Sequence, residues 1–469
     1  MRKWRLSVLF LVFALSLGLA IFWGCGDSGG GGGESDDDTG DDDSDDELPP
    51  GCTDEDGDGY SPDGGECGPI DCDDNDPNTY PGAEELCDGK DNNCDGERES
   101  ECWQVVGVDN AGKVGRYPSI WFDPATDYPA VAYIETTGKG SSMLKFAYYD
   151  GSEWHTEYVD PEAYDARYPT LRIGADGTYH IAYRRGSNLI GYIVYAYGSP
   201  GNWTNEIVKK GLLVSKDYPS LTLDAQGNPL VFYYDGEVFG DHGLICARKS
   251  GGSWSTTTVD ENANEASYDR GGRTYAATRA DGTVGVVYQN EDYEVYGEDY
   301  LYYYQLWYAE SQDYTNWTVA LVHEWGEDYP DIVTGGWSVL AYLPSNSEPV
   351  ISFFYGPEGS YEPGFAIRSE GLWDVYGWDL DFDVGEWPAL ATVGNHGLFA
   401  YFNKSEVALY LCDFDMDLLS GECEAIDGGT DSVGKWPSIA VNSLGDPAIA
   451  YYDLTNTQLK VAWYRRFGE

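Results

Sequence analysis

From Asp54 to Tyr60 the chain reads DEDGDGY, which sets Asp54, Asp56 and Asp58 on alternate residues of a loop bent at two glycines. Alternation turns several carboxylate oxygens toward one point, where they repel one another unless a cation sits between them. Two more acidic runs follow, DCDDND from Asp71 to Asp76 and DNNCDG from Asp91 to Gly96. Hard oxygens, in a segment without His or Met, favour Ca2+ over a soft transition metal. The expected ligands are Asp54, Asp56, Asp58, the Tyr60 carbonyl, Asp71, Asp73 and Asp76, with Asp91, Asn93 and Asp95 as further donors.

Cysteines bracket these runs: Cys52, Cys67, Cys72, Cys87, Cys94 and Cys102. In an exported chain they are expected to form disulfides, with a pairing that the spacing leaves open. A segment of about fifty residues with almost no apolar side chains needs such staples. Cys412 and Cys423 are expected to clip a hairpin, which leaves Cys246 as a small buried hydrophobe. Gly65 stands where the twelfth position of an EF-hand loop carries Glu, and no helical pattern flanks the run, so the segment is not read as an EF-hand. Residues 52–102 instead resemble the MopE-like metal-binding repeat of bacterial surface proteins, through their DEDGDGY, DCDDNDP, YPGAEE and CDGKDNNCDG elements. The resemblance implies a bound metal. Copper has been linked to that family's name, whereas the donors in this segment are those of a calcium site.

Upstream, residues 1–24 open with Arg2, Lys3 and Arg5 and continue as an apolar run from Leu6 to Trp23, the pattern of an export signal. Gly24-Cys25-Gly26 resembles a bacterial lipoprotein cleavage site, which implies that Cys25 becomes a lipidated N-terminus. The run is also long enough to remain as an anchor helix. Residues 25–51, rich in Gly and Asp, cannot bury apolar surface and are expected to form a disordered tether. The expected location is the bacterial cell surface or outer membrane, with the membrane reached through the lipid.

Across 469 residues, 82 acids against 27 Lys and Arg give a net charge of -55. That charge repels phosphate backbones and excludes nucleic acid as a partner. The 59 Gly, 39 Tyr and 16 Trp against 3 Met point to strands and tight turns and exclude an all-α chain. Residues 103–469 repeat themselves. Strands opening at Tyr117-Pro118, Tyr168-Pro169, Tyr218-Pro219 and Trp436-Pro437 are each followed by a turn, a second strand and a third. A fourth strand opens with Trp, as at Trp154, Trp203, Trp254, Trp317 and Trp373. First strands begin seven times, which predicts an all-β, seven-bladed β-propeller behind the disulfide-rich calcium module and tether. The last unit lacks a fourth strand, and residues 103–109 carry that pattern without a blade of their own, so they are expected to close the ring.

Propeller topology sets the start of each first strand and the loop after each second strand on one face. There Tyr117, Tyr168, Tyr218, Tyr329, Trp387 and Trp436 are expected to form an aromatic ring, with Arg273 in the fourth blade's place and Asp235 among the flanking polar residues. Aromatics beside acids and amides suit sugar hydroxyls and ring faces, although a repeated Tyr-Pro would equally serve to rigidify each blade. The fourth-strand Trp are read as wedges between blades. The loops 235–243, 290–300 and 356–364 are the longest and are expected to carry recognition. The repeats are similar to those of bacterial propeller lectins and, more distantly, of sialidase-like BNR proteins. Sialidase activity would imply an arginine triad, yet only Arg116-Tyr117-Pro118 and Arg167-Tyr168-Pro169 approach its Arg-Ile-Pro element, and no nucleophile is assignable. The chain is therefore expected not to be an enzyme but a surface lipoprotein that binds an extracellular glycan or protein. A glycoside hydrolase or lyase and a structural envelope protein are the alternatives.

Overall fold

The computed structural model describes residues 49–83, 91–95 and 101–466, apart from 138–140, 162–163, 187–189, 213–217, 236–242, 262, 264–273, 297–298, 325–331, 358–361 and 378–386. The expectations for residues 1–48, Cys25 among them, and for Cys87, Arg273, Tyr329 and the side chain of Cys102 lie outside these residues. The chain divides into two compact units, Met1–Glu99 and Ser100–Glu469.

In the second unit seven antiparallel sheets of four strands make the propeller. Blades 1 to 6 are consecutive in the chain: Arg116 to Tyr158, Arg167 to Leu212, Ser220 to Asp260, Thr274 to Glu324, Ile332 to Gly377 and Ala389 to Asp427. Blade 7 joins Lys435–Val441, Pro447–Asp453 and Gln458–Arg466 to Glu101–Asp109 from the other end of the chain. The closing strand starts before the expected residue 103 because Glu101 and Cys102 already pair with Arg466 and Arg465. Its Val106 and Val108 pack into the core between blades 7 and 1, and Trp103 and Val105 into that between blades 6 and 7, so the edge of Gln458–Arg466 is covered.

Position within the blade decides the burial pattern. The second strand Pro129–Thr136 is buried on six consecutive residues because neighbouring blades cover both of its faces. Fourth strands such as Ser253–Asp260 are mostly exposed or half-buried, but their Trp turns back across the blade boundary. Trp203 meets Phe146 edge-on at 5.1 Å, and Trp254 meets Tyr195 at 5.3 Å, which are the expected wedges. At or just after the end of four fourth strands an Asp accepts a hydroxyl from the next blade. The pairs are Tyr133 to Asp109 at 2.6 Å, Tyr183 to Asp160 at 2.7 Å, Tyr288 to Asp260 at 2.7 Å and Tyr451 to Asp427 at 2.5 Å.

Around the axis, the Tyr-Pro-Ser repeat explains itself. Proline has no N–H for the ladder, so pairing jumps from Arg116 to Ser119, from Arg167 to Thr170 and from Lys435 to Ser438. The aromatic at each bulge takes a left-handed backbone, with φ of 51° at Tyr117, 52° at Tyr168 and 52° at Trp436. The hydroxyl after Pro then stitches blades together. Ser438 Oγ accepts from the Ile120 amide at 3.2 Å, Ser119 Oγ accepts from the Leu171 amide at 2.9 Å, and Thr170 donates to the Pro219 carbonyl at 3.0 Å.

In the first unit regular structure is scarce: the 3-10 turn Gly65–Cys67 and an isolated bridge between Ser61 and Ile70. Its buried described residues are Ser61, Gly64, Asp71, Thr79 and Asn92, none with an apolar side chain. Disulfides Cys52–Cys67 and Cys72–Cys94 take the place of a core. In the propeller, Cys412 and Cys423 face each other across blade 6 and form a disulfide, while Cys246 is a free, buried thiol.

Candidate metal centre and propeller mouth

Between residues 54 and 60 the backbone folds over its own acids. The Gly57 and Gly59 amides donate to Asp54 at 2.7 and 3.1 Å, the Asp58 amide donates to Asp56 at 3.2 Å, and the Tyr60 amide donates to Asp58 at 2.9 Å. Positive φ of 87° at Gly57 and 91° at Gly59 makes this winding possible. The second acidic run is held alongside: the Asp71 amide donates to the Ser61 carbonyl at 3.0 Å, the Asp73 amide to Asp71 at 2.9 Å and the Glu55 amide to Asp74 at 2.9 Å.

Asp56, Asp58 and Asp71 each spend Oδ1 on these amides, and each has a buried Oδ2 that meets no donor. A carboxylate oxygen from each of the three lies within 4.8 Å of the others. Buried oxygens with no donor, converging on one point, need a cation or protons. Burial, and then repulsion from Asp56 and the other acids nearby, raises the pKa of Asp58 above its usual 3.8. Burial followed by repulsion from Asp58 and Asp56 does the same to Asp71. Asp54, Asp56 and Asp74 form a second oxygen group that shares Asp56.

The centre departs from the expected ligand set in its details. Asp74 joins it although it breaks the alternation; its only signal was its place in the Asp71 to Asp76 run. Asp73, Asp76, Asp91, Asn93 and Asp95 belong to neither group among the described residues. Asp76 accepts from the Asn78 amide at 3.3 Å, and Asp91 and Asn93 accept from the Asp95 amide at 3.1 and 2.9 Å, closing a separate turn. Tyr60 stacks on Tyr80 with centroids 5.2 Å apart. Cys72 and Cys94 lie beside Asp71, but their sulfurs are bonded to each other and offer no thiolate. The donor set is therefore all oxygen.

At the propeller's mouth five of the six expected aromatics lie in a ring, the sixth, Tyr329, being outside the described residues. Centroids are 4.6 Å apart for Tyr117 and Tyr168, 3.7 Å for Tyr168 and Tyr218, 5.3 Å for Trp387 and Trp436 and 4.5 Å for Trp436 and Tyr117. Trp337 of blade 5 completes it, 5.0 Å from Tyr218 and 5.5 Å from Trp387. Sequence reasoning left Trp337 out of the ring because no Pro follows it, and it stands inside the strand Ile332–Tyr342 rather than at its start. Blade 4 supplies Thr274 at this level, whose hydroxyl donates to the Tyr218 carbonyl at 3.1 Å. A cavity of about 70 Å³ lies under the ring.

Cations flank the ring. Arg116 lies over Trp436 at 5.4 Å and Lys435 over Trp387 at 5.6 Å. Arg116 Nε, Trp387 Nε1 and Trp436 Nε1 are buried donors that meet no acceptor. Asp235 is not open to a ligand in the same way, since it is buried with Lys209 at 2.8 Å.

Residues 71–99 match the MopE copper-binding family, whose description is "Putative metal-binding motif". Asp71 and Asp74 lie inside that match, while Asp54, Asp56 and Asp58 precede it. Among curated proteins no sequence matches the chain. Among solved structures, the propeller is similar to the polysaccharide lyase Uly1, at 10% identity and a TM-score of 0.48, over 80% of this chain and 93% of that one. It is also similar to the intramolecular trans-sialidase from Ruminococcus gnavus, at 13% identity and a TM-score of 0.42, over 78% of this chain and 97% of that one. The α-L-arabinofuranosidase Arb93A from Fusarium graminearum matches at 13% identity and a TM-score of 0.38, over 65% and 94%. These likenesses are of fold and carry no activity with them. They do overturn one expectation: with a lyase, a trans-sialidase and an arabinofuranosidase among its neighbours, the reading of this chain as a non-enzyme is withdrawn.

Proposed function

We propose that this chain is an exported surface protein, lipid-anchored at Cys25, that holds Ca2+ in its acidic module and processes an extracellular glycan at the propeller's mouth as a hydrolase or lyase. The carrying observation for the mouth is the set of buried donors without acceptors on Arg116, Trp387 and Trp436, beside rings that offer apolar faces. A glycan supplies both missing partners, oxygen acceptors and C–H faces. Tyr117, Tyr168, Tyr218, Trp387, Trp436 and Arg273 remain the proposed ligand-binding residues, now with Trp337 and Arg116, while Asp235 leaves the set because Lys209 pairs with it in the interior.

For the module, an all-oxygen donor set favours Ca2+ over copper. Asp54, Asp56, Asp58, Asp71 and Asp74 would hold the ion, which would supply charge neutralisation and so fix the loops on the two disulfides.

The test is a panel of neutral and acidic polysaccharides, scored for binding and for new reducing ends or unsaturated ends. Trp387→Phe and Trp436→Phe remove the indole donors and keep a ring, so binding should weaken by about 1–3 kcal/mol for a buried anchor. The absence of both binding and product across the panel, with Ca2+ present, would overturn the reading.

A further inference from the structure

The first strands of all seven blades end around a second cavity of about 580 Å³, at the opposite end of the axis from the aromatic ring. On the same strand Arg116–Phe122, Tyr117 belongs to the ring and Trp121 to this cavity. Its lining is mostly apolar, with Leu340, Leu390 and Val441 among the side chains. Two of its hydroxyls are committed elsewhere: Thr278 donates to the Leu223 carbonyl at 2.7 Å, and Thr392 donates to the Tyr342 carbonyl at 2.8 Å.

The lining carries two charged side chains: Asp127, which accepts from the Ser443 amide at 3.0 Å and the Ser443 hydroxyl at 2.7 Å, and Arg172. Arg172 is 5% exposed, its guanidinium lies 4.4 Å from the Trp121 ring and 5.3 Å from the Tyr275 ring, and its two terminal nitrogens donate to the carbonyls of Leu171 at 2.8 Å and Ala276 at 3.2 Å. Carbonyls and ring faces orient the group without neutralising it, and they use two of its five N–H donors. Three other sequestered cations of the propeller have carboxylate partners. Lys145 meets Asp109, Arg185 meets Asp160 at 2.8 Å, and Arg248 meets Asp224 at 2.6 Å. A chain with 82 acids and 27 Lys and Arg has carboxylates to spare, yet none of the described ones pairs with Arg172. A buried Arg without a counter-charge is costly, and it is kept where an anion arrives from outside.

We propose that this cavity is a second binding site, for a small organic carboxylate with an apolar body, whose carboxylate pairs with Arg172 and whose body fills the space between Leu340, Leu390 and Val441. The volume suits a ligand of ordinary metabolite size. The linings of the two cavities share Tyr275, Leu390 and Ile439, but Arg172 faces only this one, and the site does not depend on the glycan reading.

Calorimetric titration and thermal melting with sodium benzoate and sodium hexanoate test it, against benzyl alcohol and sodium chloride at the same concentrations. Both carboxylates should give saturable binding and raise the melting temperature, and the alcohol and chloride should not. Arg172→Gln should weaken carboxylate binding at least tenfold. If that variant fails to fold, Val441→Phe, which narrows the cavity and leaves Arg172 in place, should do the same. No saturable response to either carboxylate, an undiminished response in the variants, or an equal response to chloride would each overturn the proposal.

Discussion

In the propeller, the buried carboxylate of Asp109 takes a hydrogen bond from Tyr133 at 2.6 Å, another from the Ala111 amide at 3.0 Å and an ion pair from Lys145. In the acidic module, Asp58 has the Tyr60 amide on one oxygen, a buried and unanswered second oxygen, and Asp54, Asp56 and Asp74 for company. Their titration diverges accordingly. Burial raises the pKa of Asp109, but the bonds from Lys145, Tyr133 and Ala111 outweigh it and hold the carboxyl below 3.8, whereas Asp58 is pushed above that value. An acid whose partners come from its own fold is architecture. An acid surrounded by acids marks a place that something else must occupy.

The sharpest way to break this contrast is to neutralise the module. Asp56→Asn, Asp58→Asn and Asp71→Asn together should weaken Ca2+ uptake by about a hundredfold or more, and should raise the melting temperature of the metal-free module because the repulsion is gone. Unchanged uptake in a calorimetric titration would remove the centre from these residues. A pH series gives the same contrast without mutation. Raised pKa values at Asp58 and Asp71 favour the protonated fold, so stability of the EDTA-treated module should be greatest below 3.8 and fall as pH rises through the shifted values. With Ca2+ present the slope should reverse. For Asp109 the sign is opposite: its contribution is present above 3.8 and is lost as pH falls through the lowered value.

A propeller variant ranks next. Asp109→Ala strands Lys145, 5% exposed, without its counter-charge and leaves the Tyr133 hydroxyl without its acceptor, which should cost about 3–5 kcal/mol. Denaturant unfolding of a chain beginning at Ser100 measures this free of the module. A chain beginning at Asn110 should aggregate instead, since it lacks the strand that covers Gln458–Arg466. Equal solubility of the two chains would mean that Glu101–Asp109 is not needed to close blade 7.

Blade number and closure were legible because each blade repeats the same periodic constraints, and seven noisy copies of Tyr-Pro, turn and Trp average to a clear pattern. The bulge behind that pattern was not legible. Tyr-Pro reads as a rigid strand start, and only the ladder jump from Arg116 to Ser119 reveals a left-handed residue that points its ring at the axis. Trp337 escaped because its ring position survives without the Pro. Asp74 escaped because its approach to Asp54 and Asp56 depends on how the Ser61–Ile70 bridge sets two runs side by side, which alternation within one run cannot encode. Arg172 was invisible for the same reason: the sequence contains an Arg on an inner strand, and only the closed ring shows that no described acid reaches it.

The smallest expected effect asks whether the propeller's acids owe their quiet behaviour to cations or to tyrosines. Tyr133→Phe removes one hydroxyl from Asp109 and leaves Lys145 and the Ala111 amide in place. The ring itself stays buried at 0% exposure, so no cavity opens beyond the missing oxygen. The expected loss is about 1–2 kcal/mol, the net value of a hydrogen bond to a charged acceptor when that acceptor keeps other donors. The Asp109 pKa should rise toward 3.8, because one of the bonds that holds it down is gone. A loss as large as that of Asp109→Ala would show that the Tyr hydroxyl, rather than the Lys145 pair, anchors the junction of blades 7 and 1. The same substitution at Tyr288 removes the equivalent bond to Asp260 at the junction of blades 3 and 4 and should cost a comparable amount. Equal and negligible losses at both positions would mean that the repeated Tyr-to-Asp bond follows from blade packing and does not hold it.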